Sequence, residues 1–244
     1  MGSEETSIDV SDLELHALRR ARLYPAVDGA SHTALRCLAI SSQYGIGVAI
    51  GPGAELISFY TRDVHALMAT KDNINEEVGT LRKKHTKYFD PKASLLSIAS
   101  NCDGSLIAVL ANTAAGPMVH VFDVSPITVV RVSADDGAKG TAMEWSPATP
   151  DTIAVAASDH TIMTVLLNLQ SPANYTVIKE KKLGAVVRCI SWSRKGKQLV
   201  VGDVCGKVTQ MKPELDILRS TACPQSCSIK DAEVVSVTVW LCDT

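Results

Sequence analysis

Short segments of alternating apolar and polar residues, each followed by a polar turn, repeat along this chain. Two are centred on tryptophan, at residues 142–146 (Ala-Met-Glu-Trp-Ser) and 189–193 (Cys-Ile-Ser-Trp-Ser), and a third ends on one, at 237–240 (Val-Thr-Val-Trp). The tryptophans lie 47 and 48 residues apart. A similar apolar pattern without tryptophan precedes them at 38–41 and 96–100. A strand-bearing period of about 45 residues is typical of the blades of a β-propeller.

The repeats predict an all-β fold, a β-propeller of degenerate WD-type blades. Each unit contains an apolar strand, a polar turn and a strand rich in valine and alanine, as expected of a strand buried on both faces. We predict a flexible N-terminus at 1–12 and a partial propeller over 13–244, with blades at 33–69, 94–124, 141–169 and 187–213 and the start of a fifth at 233–241. Neither Gly-His nor Trp-Asp dipeptides occur, so we expect packing to replace the hydrogen-bond network that they supply.

Two segments depart from the repeat. Residues 13–24 alternate loosely and fit either a strand or a short helix; we favour a strand, because an N-terminal strand often completes the last blade of a propeller. Residues 70–87 interrupt the β pattern with polar and basic runs. We expect them to form an insertion between the first two blades.

Composition narrows the class of protein. The chain has 244 residues, of which 46% are hydrophobic and 20% charged, with a net charge of −2. It can therefore bury a core, and its charge does not favour direct nucleic-acid binding through phosphate contacts. The acidic N-terminus lacks the basic and apolar regions of a secretory signal, and no apolar run is long enough to insert into a membrane. An odd number of cysteines predicts seven reduced thiols in a cytosolic or nuclear protein: Cys37, Cys102, Cys189, Cys205, Cys223, Cys227 and Cys242.

The densest basic run, at residues 82–87, supplies the candidate partner-binding residues Arg82, Lys83, Lys84 and Lys87. Such a run fits an electrostatic contact with an acidic partner or RNA, but a solvated loop is the more common outcome. A second basic run, at 179–182, is expected to be an exposed connection between blades.

Candidate catalytic and metal sites are not supported. Cys223 and Cys227 are separated by three residues and could be half of a metal site or a redox pair, but a structural zinc site needs four ligands. The six histidines are scattered, and His120 lies in an apolar strand. No zinc-protease, phosphate-loop or dinucleotide-binding motif occurs. We therefore predict no enzyme activity, no catalytic residue, no metal and no cofactor.

The ordered segments resemble a nucleoporin family. Residues 191–202 (Ser-Trp-Ser-Arg-Lys-Gly-Lys-Gln-Leu-Val-Val-Gly) are similar to the fourth blade of its N-terminal propeller, and residues 143–155, 121–124 and 42–45 are similar to earlier stretches in the same order. The family is that of the large phenylalanine-glycine nucleoporin of the cytoplasmic face of the nuclear pore. The resemblance covers roughly residues 13–241.

The resemblance implies a docking role. The family's propeller has seven blades and docks the DEAD-box RNA helicase of mRNA export, so the implied partners are that helicase and other nucleoporins, at the nuclear pore complex. About four and a half blades are covered here, and no phenylalanine-glycine dipeptide occurs. We therefore expect a fragment or short product whose helicase-docking loops lie outside this chain, and which aggregates or oligomerises when isolated.

Two kinds of binding function remain open. The first is a non-enzymatic nucleoporin scaffold for mRNA and protein export. The alternative is a generic WD-type adaptor in a ubiquitin-ligase or signalling assembly. The repeat itself makes one structural prediction under either hypothesis: Trp145 and Trp192 should occupy equivalent positions in successive blades.

Overall fold

The computed structural model describes residues 38–41, 45–50, 55–60, 62–63, 83–90, 92–122, 126–168, 174–222, 234 and 236–237. Sixteen strands in this part of the chain form four four-stranded antiparallel sheets. In each sheet the strands pair in the order in which they occur in the sequence. The architecture is therefore all-β and repetitive, as predicted.

The four sheets follow one another along the chain. The first contains β1 (Leu38–Ser41), β2 (Gly45–Ile50), β3 (Glu55–Phe59) and β4 (Lys83–Tyr88). The second contains β5 (Ser94–Ser100), β6 (Ile107–Thr113), β7 (Gly116–Phe122) and β8 (Pro126–Arg131). The third contains β9 (Gly140–Trp145), β10 (Thr152–Ala157), β11 (Thr161–Leu167) and β12 (Tyr175–Lys182). The fourth contains β13 (Val187–Trp192), β14 (Leu199–Asp203), β15 (Lys207–Met211) and β16 (Ile217–Ala222).

The sheets pack face to face around their first strands. β1 lies beside β5, β5 beside β9 and β9 beside β13. Each pair of neighbouring sheets encloses an apolar core, and the largest lies between the second and third sheets, where Leu110, Val119, Ile153 and Val165 are fully buried. A middle strand such as β10 is buried along its whole length. Its sequence, Thr-Ile-Ala-Val-Ala-Ala, combines β-branched and small side chains that fit between two packed sheets. This is the radial arrangement of propeller blades.

The two tryptophans occupy equivalent positions, which confirms the prediction from the repeat. The Trp145 indole Nε1–H donates to the Ala99 carbonyl at 3.1 Å, and the Trp192 Nε1–H donates to the Glu144 carbonyl at 3.2 Å. Each acceptor lies in the first strand of the preceding blade. Each also comes one residue before the position that aligns with tryptophan, Ser100 in the first case and Trp145 in the second. One hydrogen bond is therefore repeated at two blade interfaces.

The expectation that packing alone would replace the missing dipeptides was wrong. Asp159, in the turn between β10 and β11, accepts hydrogen bonds from the hydroxyls of Ser133 at 2.9 Å and Thr161 at 2.8 Å. The Lys182 ammonium lies 3.4 Å from the same carboxylate. Ser133 belongs to the connection from the second blade, so the carboxylate joins two blades. The sequence did not reveal this role, because the inter-blade donor Ser133 lies 26 residues before its acceptor.

The fourth strand of each blade was not predicted. Residues 70–87 were expected to be an insertion, yet 83–88 form β4, and the expected connection at 179–182 belongs to β12. For β12 and β16 the reason is physical: most of their residues face solvent, whereas β8 buries Thr128 and Val130. All six residues of β16 are exposed, so a strand at this position needs no apolar alternation, and its sequence does not differ from that of a polar loop.

Several predictions fall on residues outside the described part of the chain, including the strand at 13–24, Trp240 and the pair Cys223 and Cys227. The described residues that follow the fourth sheet are Val234, Ser236 and Val237. The Val234 backbone N–H donates to the Asp203 carbonyl at 3.0 Å. The chain therefore returns to the far face of the fourth sheet, where a fifth blade was predicted to begin.

Candidate functional site

A groove runs across the first strands of consecutive blades. Its cavity volume is about 370 Å³. The walls come from β5, β9 and β13 and from the segment that follows the fourth sheet: Ser97, Ile98, Ala99, Ala142, Met143, Glu144, Arg188, Cys189, Ile190, Ser191, Ser236 and Val237. We call it the inner groove. The groove forms because the first strands of neighbouring blades lie side by side and no described strand covers them.

The repeat places one row of side chains at this surface. Ala99, Glu144 and Ser191 occupy the same position in successive blades, one residue before the position aligned with tryptophan, and all three line the inner groove. Ile40 holds the same position in the first blade and is 64% exposed. The row therefore contains four different side chains at equivalent sites.

Glu144 gives the inner groove its main electrostatic feature. Its side chain reaches solvent, but the walls of the groove surround it, and this burial raises the pKa of its carboxyl to about 6. Burial is the cause of the shift, and Glu144 forms no ion pair with a described residue. Arg188 lines the same groove, on the neighbouring first strand. The Ser97 hydroxyl is buried with no hydrogen-bond partner among the described residues.

The predicted basic candidates lie elsewhere, in the outermost strand of the first blade. Lys84 is half-buried, and its Nζ lies 5.9 Å from the centre of the Tyr60 ring. The Arg62 guanidinium lies 5.1 Å from the centre of the same ring, so Tyr60 makes cation–π contacts with two basic side chains. Lys83 and Lys87 belong to the same strand, whereas Arg82 is outside the described residues. Whether these side chains bind a partner stays a prediction.

The histidine in the apolar strand is part of the core packing. His120 stacks near Phe122 with a centroid distance of 6.4 Å, and its ring meets that of Phe89 edge-on at 5.0 Å. Burial lowers the pKa of His120, and its Nε2 has no hydrogen-bond partner among the described residues. The ring is therefore held neutral between aromatic neighbours.

The described part of the chain contains no cluster of metal-ligating side chains, and its cysteines lie apart from one another. Across these residues, no group of three or more His, Cys, Asp or Glu side chains is placed to hold a metal ion. Cys102 and Cys205 are exposed, and Cys189 is buried with its thiol 3.4 Å from the Val234 carbonyl oxygen. Within the same residues, no helix is long and apolar enough to cross a membrane.

Sequence reasoning missed both the row of groove residues and a second surface. The row could have been found by aligning the first strands on Trp145 and Trp192 and reading one residue back. The second surface is the turn between β13 and β14, which carries three exposed cations, Arg194, Lys195 and Lys197. The basic density was visible in the sequence, but the longer basic run at 82–87 was chosen instead.

The fold agrees with what comparison with known proteins finds. The family model for the NUP159/214 β-propeller matches residues 32–244. Nuclear pore complex protein 14 of Caenorhabditis elegans is 34% identical over 93% of this chain, and the Nup214 proteins of Drosophila melanogaster and Homo sapiens are 27% and 26% identical over 87% and 88%. The chain spans only 18%, 12% and 10% of the lengths of those three proteins.

Solved structures support the fold alone. The Chaetomium thermophilum protein Sqt1, in a crystal structure with the N-terminus of ribosomal protein L10, matches with a TM-score of 0.57 and 15% identity. The match covers 75% of this chain and 47% of Sqt1. Because the family model spans most of the chain and the blades repeat as that fold requires, the chain belongs to the NUP159/214 β-propeller family of nucleoporins.

Proposed function

We propose that this chain is a non-enzymatic docking propeller of the nuclear pore complex that acts in mRNA and protein export. The observation that carries the proposal is the family match over residues 32–244, together with relatives named as nuclear pore complex proteins. The family is a structural scaffold. A generic WD-type adaptor function is the runner-up, and no observation on this chain favours it.

The distribution of titratable groups supports a binding function rather than catalysis. The pKa values of Asp103, His120, Glu144 and Asp159 depart from their usual values. The four groups lie in separate places: Asp103 in the turn after β5, His120 beside Phe122, Glu144 in the inner groove and Asp159 at the junction of the second and third blades. Asp103 and Asp159 already accept hydrogen bonds from serine or threonine hydroxyls. A catalytic site instead gathers such groups around one reacting atom.

The finer part of the proposal concerns the partner. By family resemblance, the partner is the DEAD-box RNA helicase of mRNA export, alongside other nucleoporins on the cytoplasmic face of the pore. The described blades offer inter-strand turns and the inner groove as contact surfaces. We expect this chain to bind the helicase more weakly than a seven-bladed propeller does, because the family's principal docking loops belong to later blades.

A localisation assay and a binding assay together test the proposal. The chain, tagged and expressed in cells, should concentrate at the nuclear rim, and titration with purified helicase by calorimetry should give a measurable affinity. The double variant Trp145→Phe and Trp192→Phe, which loosens two blade interfaces, is the structural control and should reduce both signals. A diffuse distribution of the folded wild-type chain, together with capture of ubiquitin-ligase subunits, would overturn the nucleoporin assignment in favour of the adaptor.

A further inference from the structure

The turn between β13 and β14 is held rigid by its own hydrogen bonds. The Ser193 backbone N–H donates to the Gln198 carbonyl at 2.8 Å, and the Gly196 N–H donates to the Ser193 carbonyl at 2.8 Å. The Ser193 hydroxyl accepts from the Gln198 N–H at 3.1 Å. Gly196 has a φ of 66°, a left-handed conformation that glycine adopts without strain. The loop is thus a closed, well-defined turn.

The same turn packs against the preceding blade. A Cβ atom placed on Gly196 would lie 2.9 Å from the Ala148 Cβ and 3.0 Å from the Ser146 Oγ. The two turns are therefore in close contact, and the absence of a side chain at Gly196 permits it. The adjoining turn, Ser-Pro-Ala-Thr-Pro-Asp at 146–151, carries one charge, the carboxylate of Asp151 at its end. This contact fixes the direction in which the cations of the fourth blade project.

Three cations in this turn are not paired with any described acidic residue. Arg194, Lys195 and Lys197 are exposed, and none forms an ion pair with any described residue. Glu214 and Asp216 lie at the same end of the blade, on the turn between β15 and β16, but neither is paired with this turn. We call Arg194, Lys195 and Lys197 the basic tip.

We propose that the basic tip is a docking point for an acidic peptide segment, a run of Asp and Glu side chains, of a partner protein. The inference rests on the docking function proposed above. The backbone of a rigid turn loses little conformational freedom when its three cations meet a partner, and complementary charge accelerates and orients association. An extended acidic segment can contact all three side chains of the turn in succession.

An acidic peptide fits this surface better than nucleic acid does. Nucleic-acid binding requires a basic stripe long enough to neutralise several successive phosphates. Here the cations are confined to one turn, whereas the corresponding turns of the third and second blades carry Asp151 and Asp103. The whole chain has a net charge of −2, which repels an extended polyanion. A short acidic segment is repelled less, because it contacts only the basic tip.

The test uses the full chain and a short fluorescein-labelled peptide of alternating Asp and Glu, followed by fluorescence anisotropy at low and at physiological salt. The triple variant R194E/K195E/K197E should weaken binding by about tenfold or more. The matched control K139E/K179E/R219E reverses three exposed cations at other places and changes the net charge by the same amount. It should bind the peptide nearly as well as the wild type. Circular dichroism checks that both variants keep the wild-type β structure.

Two results would overturn the inference. One is an equal loss of affinity in both triple variants, which would mean that net charge rather than the basic tip controls binding. The other is tighter, tip-dependent binding of a single-stranded RNA of the same charge, which would assign the surface to nucleic acid. Localisation at the nuclear rim tests the docking function separately: a chain that reaches the rim but ignores the acidic peptide disproves only the role of the basic tip.

Discussion

The most direct test of the repeat is to remove the hydrogen bond that joins successive blades. Trp145 and Trp192 are 5% and 6% exposed, and each indole N–H donates to a main-chain carbonyl of the preceding blade. The substitutions Trp145→Phe and Trp192→Phe keep an aromatic ring in the interface but delete the donor. The perturbation therefore acts on one repeated interaction in two places.

The expected loss is similar at both sites. A net hydrogen bond contributes about 0.5–1.5 kcal/mol. The smaller ring also leaves a void where the pyrrole part of the indole was packed. We therefore expect each substitution to lower the free energy of unfolding by about 2 kcal/mol. For a domain of this size, that lowers Tm by about 4–8 °C.

The measurement is chemical denaturation followed by far-UV circular dichroism, which does not depend on tryptophan fluorescence. Ile153→Val is the control, because Ile153 is fully buried in the same core as Trp145 and donates no side-chain hydrogen bond. It should cost about 1 kcal/mol through packing alone. If either tryptophan variant lost less than about 0.5 kcal/mol, the scatter expected of neutral surface changes, the carbonyl contact would not stabilise the blade interface and the reasoning would fail.

Three further substitutions probe individual residues. The raised pKa of Glu144, about 6 against 4.5, costs the folded state stability as pH rises from 4.5 through 6; the difference in Tm between Glu144→Gln and wild type should therefore be near zero at pH 4.5 and positive at pH 7. Burial lowers the pKa of His120, which costs the folded state stability as pH falls below 6.5 and opposes the contribution of Glu144 in the wild type. The difference in Tm between His120→Phe, which keeps the aromatic stacking, and wild type should therefore become more positive as pH falls below 6.5 in melts over the same range. A Cβ on Gly202 would lie 2.6 Å from the Val234 Cβ and 2.8 Å from the Cys189 Sγ. Gly202→Ala should therefore lower the free energy of unfolding by about 1–3 kcal/mol, and adding Val234→Ala should restore part of that loss. If the second substitution restored nothing, the docking of Val234 on the fourth blade would be contradicted.

The elements that the sequence predicted are those whose side chains face a core. β10 and β14 follow their turns with Val- and Ala-rich runs, and burial on both faces demands that composition. The position of Trp192 was also readable, because a large aromatic residue recurring at one interval marks one structural place. An outermost strand is held by backbone pairing with the strand before it. The sequence of β4, Lys-Lys-His-Thr-Lys-Tyr, gives no sign of its pairing with β3.

The two candidate surfaces were harder to predict from the sequence, because they depend on how the blades lie against each other. The inner groove depends on which first strands lie side by side, and the partner of a main-chain carbonyl leaves no mark on the acceptor's own side chain. Nothing in the sequence Met-Glu-Trp distinguished Glu144 as a groove residue until the hydrogen bond from Trp192 placed its backbone. The basic tip was visible as a charged turn, but its lack of acidic neighbours is a property of the folded surface.

In the row of residues that lines the inner groove, the backbone and the side chain of one residue have different roles. At Glu144 the carbonyl accepts the inter-blade hydrogen bond, so the backbone stabilises the propeller while the side chain is left to vary. A swap of side chains, Glu144→Ser with Ser191→Glu, tests this separation, because it moves the carboxylate to the next blade without changing composition. Stability should change by less than about 1 kcal/mol, whereas Trp192→Phe removes the donor to the same carbonyl and should cost about twice that. Unfolding curves of both variants, recorded near pH 4.5, where ionisation of Glu144 contributes little to wild-type stability, make the comparison; if the swap proved as costly as the tryptophan change, the Glu144 side chain would itself be part of the blade interface.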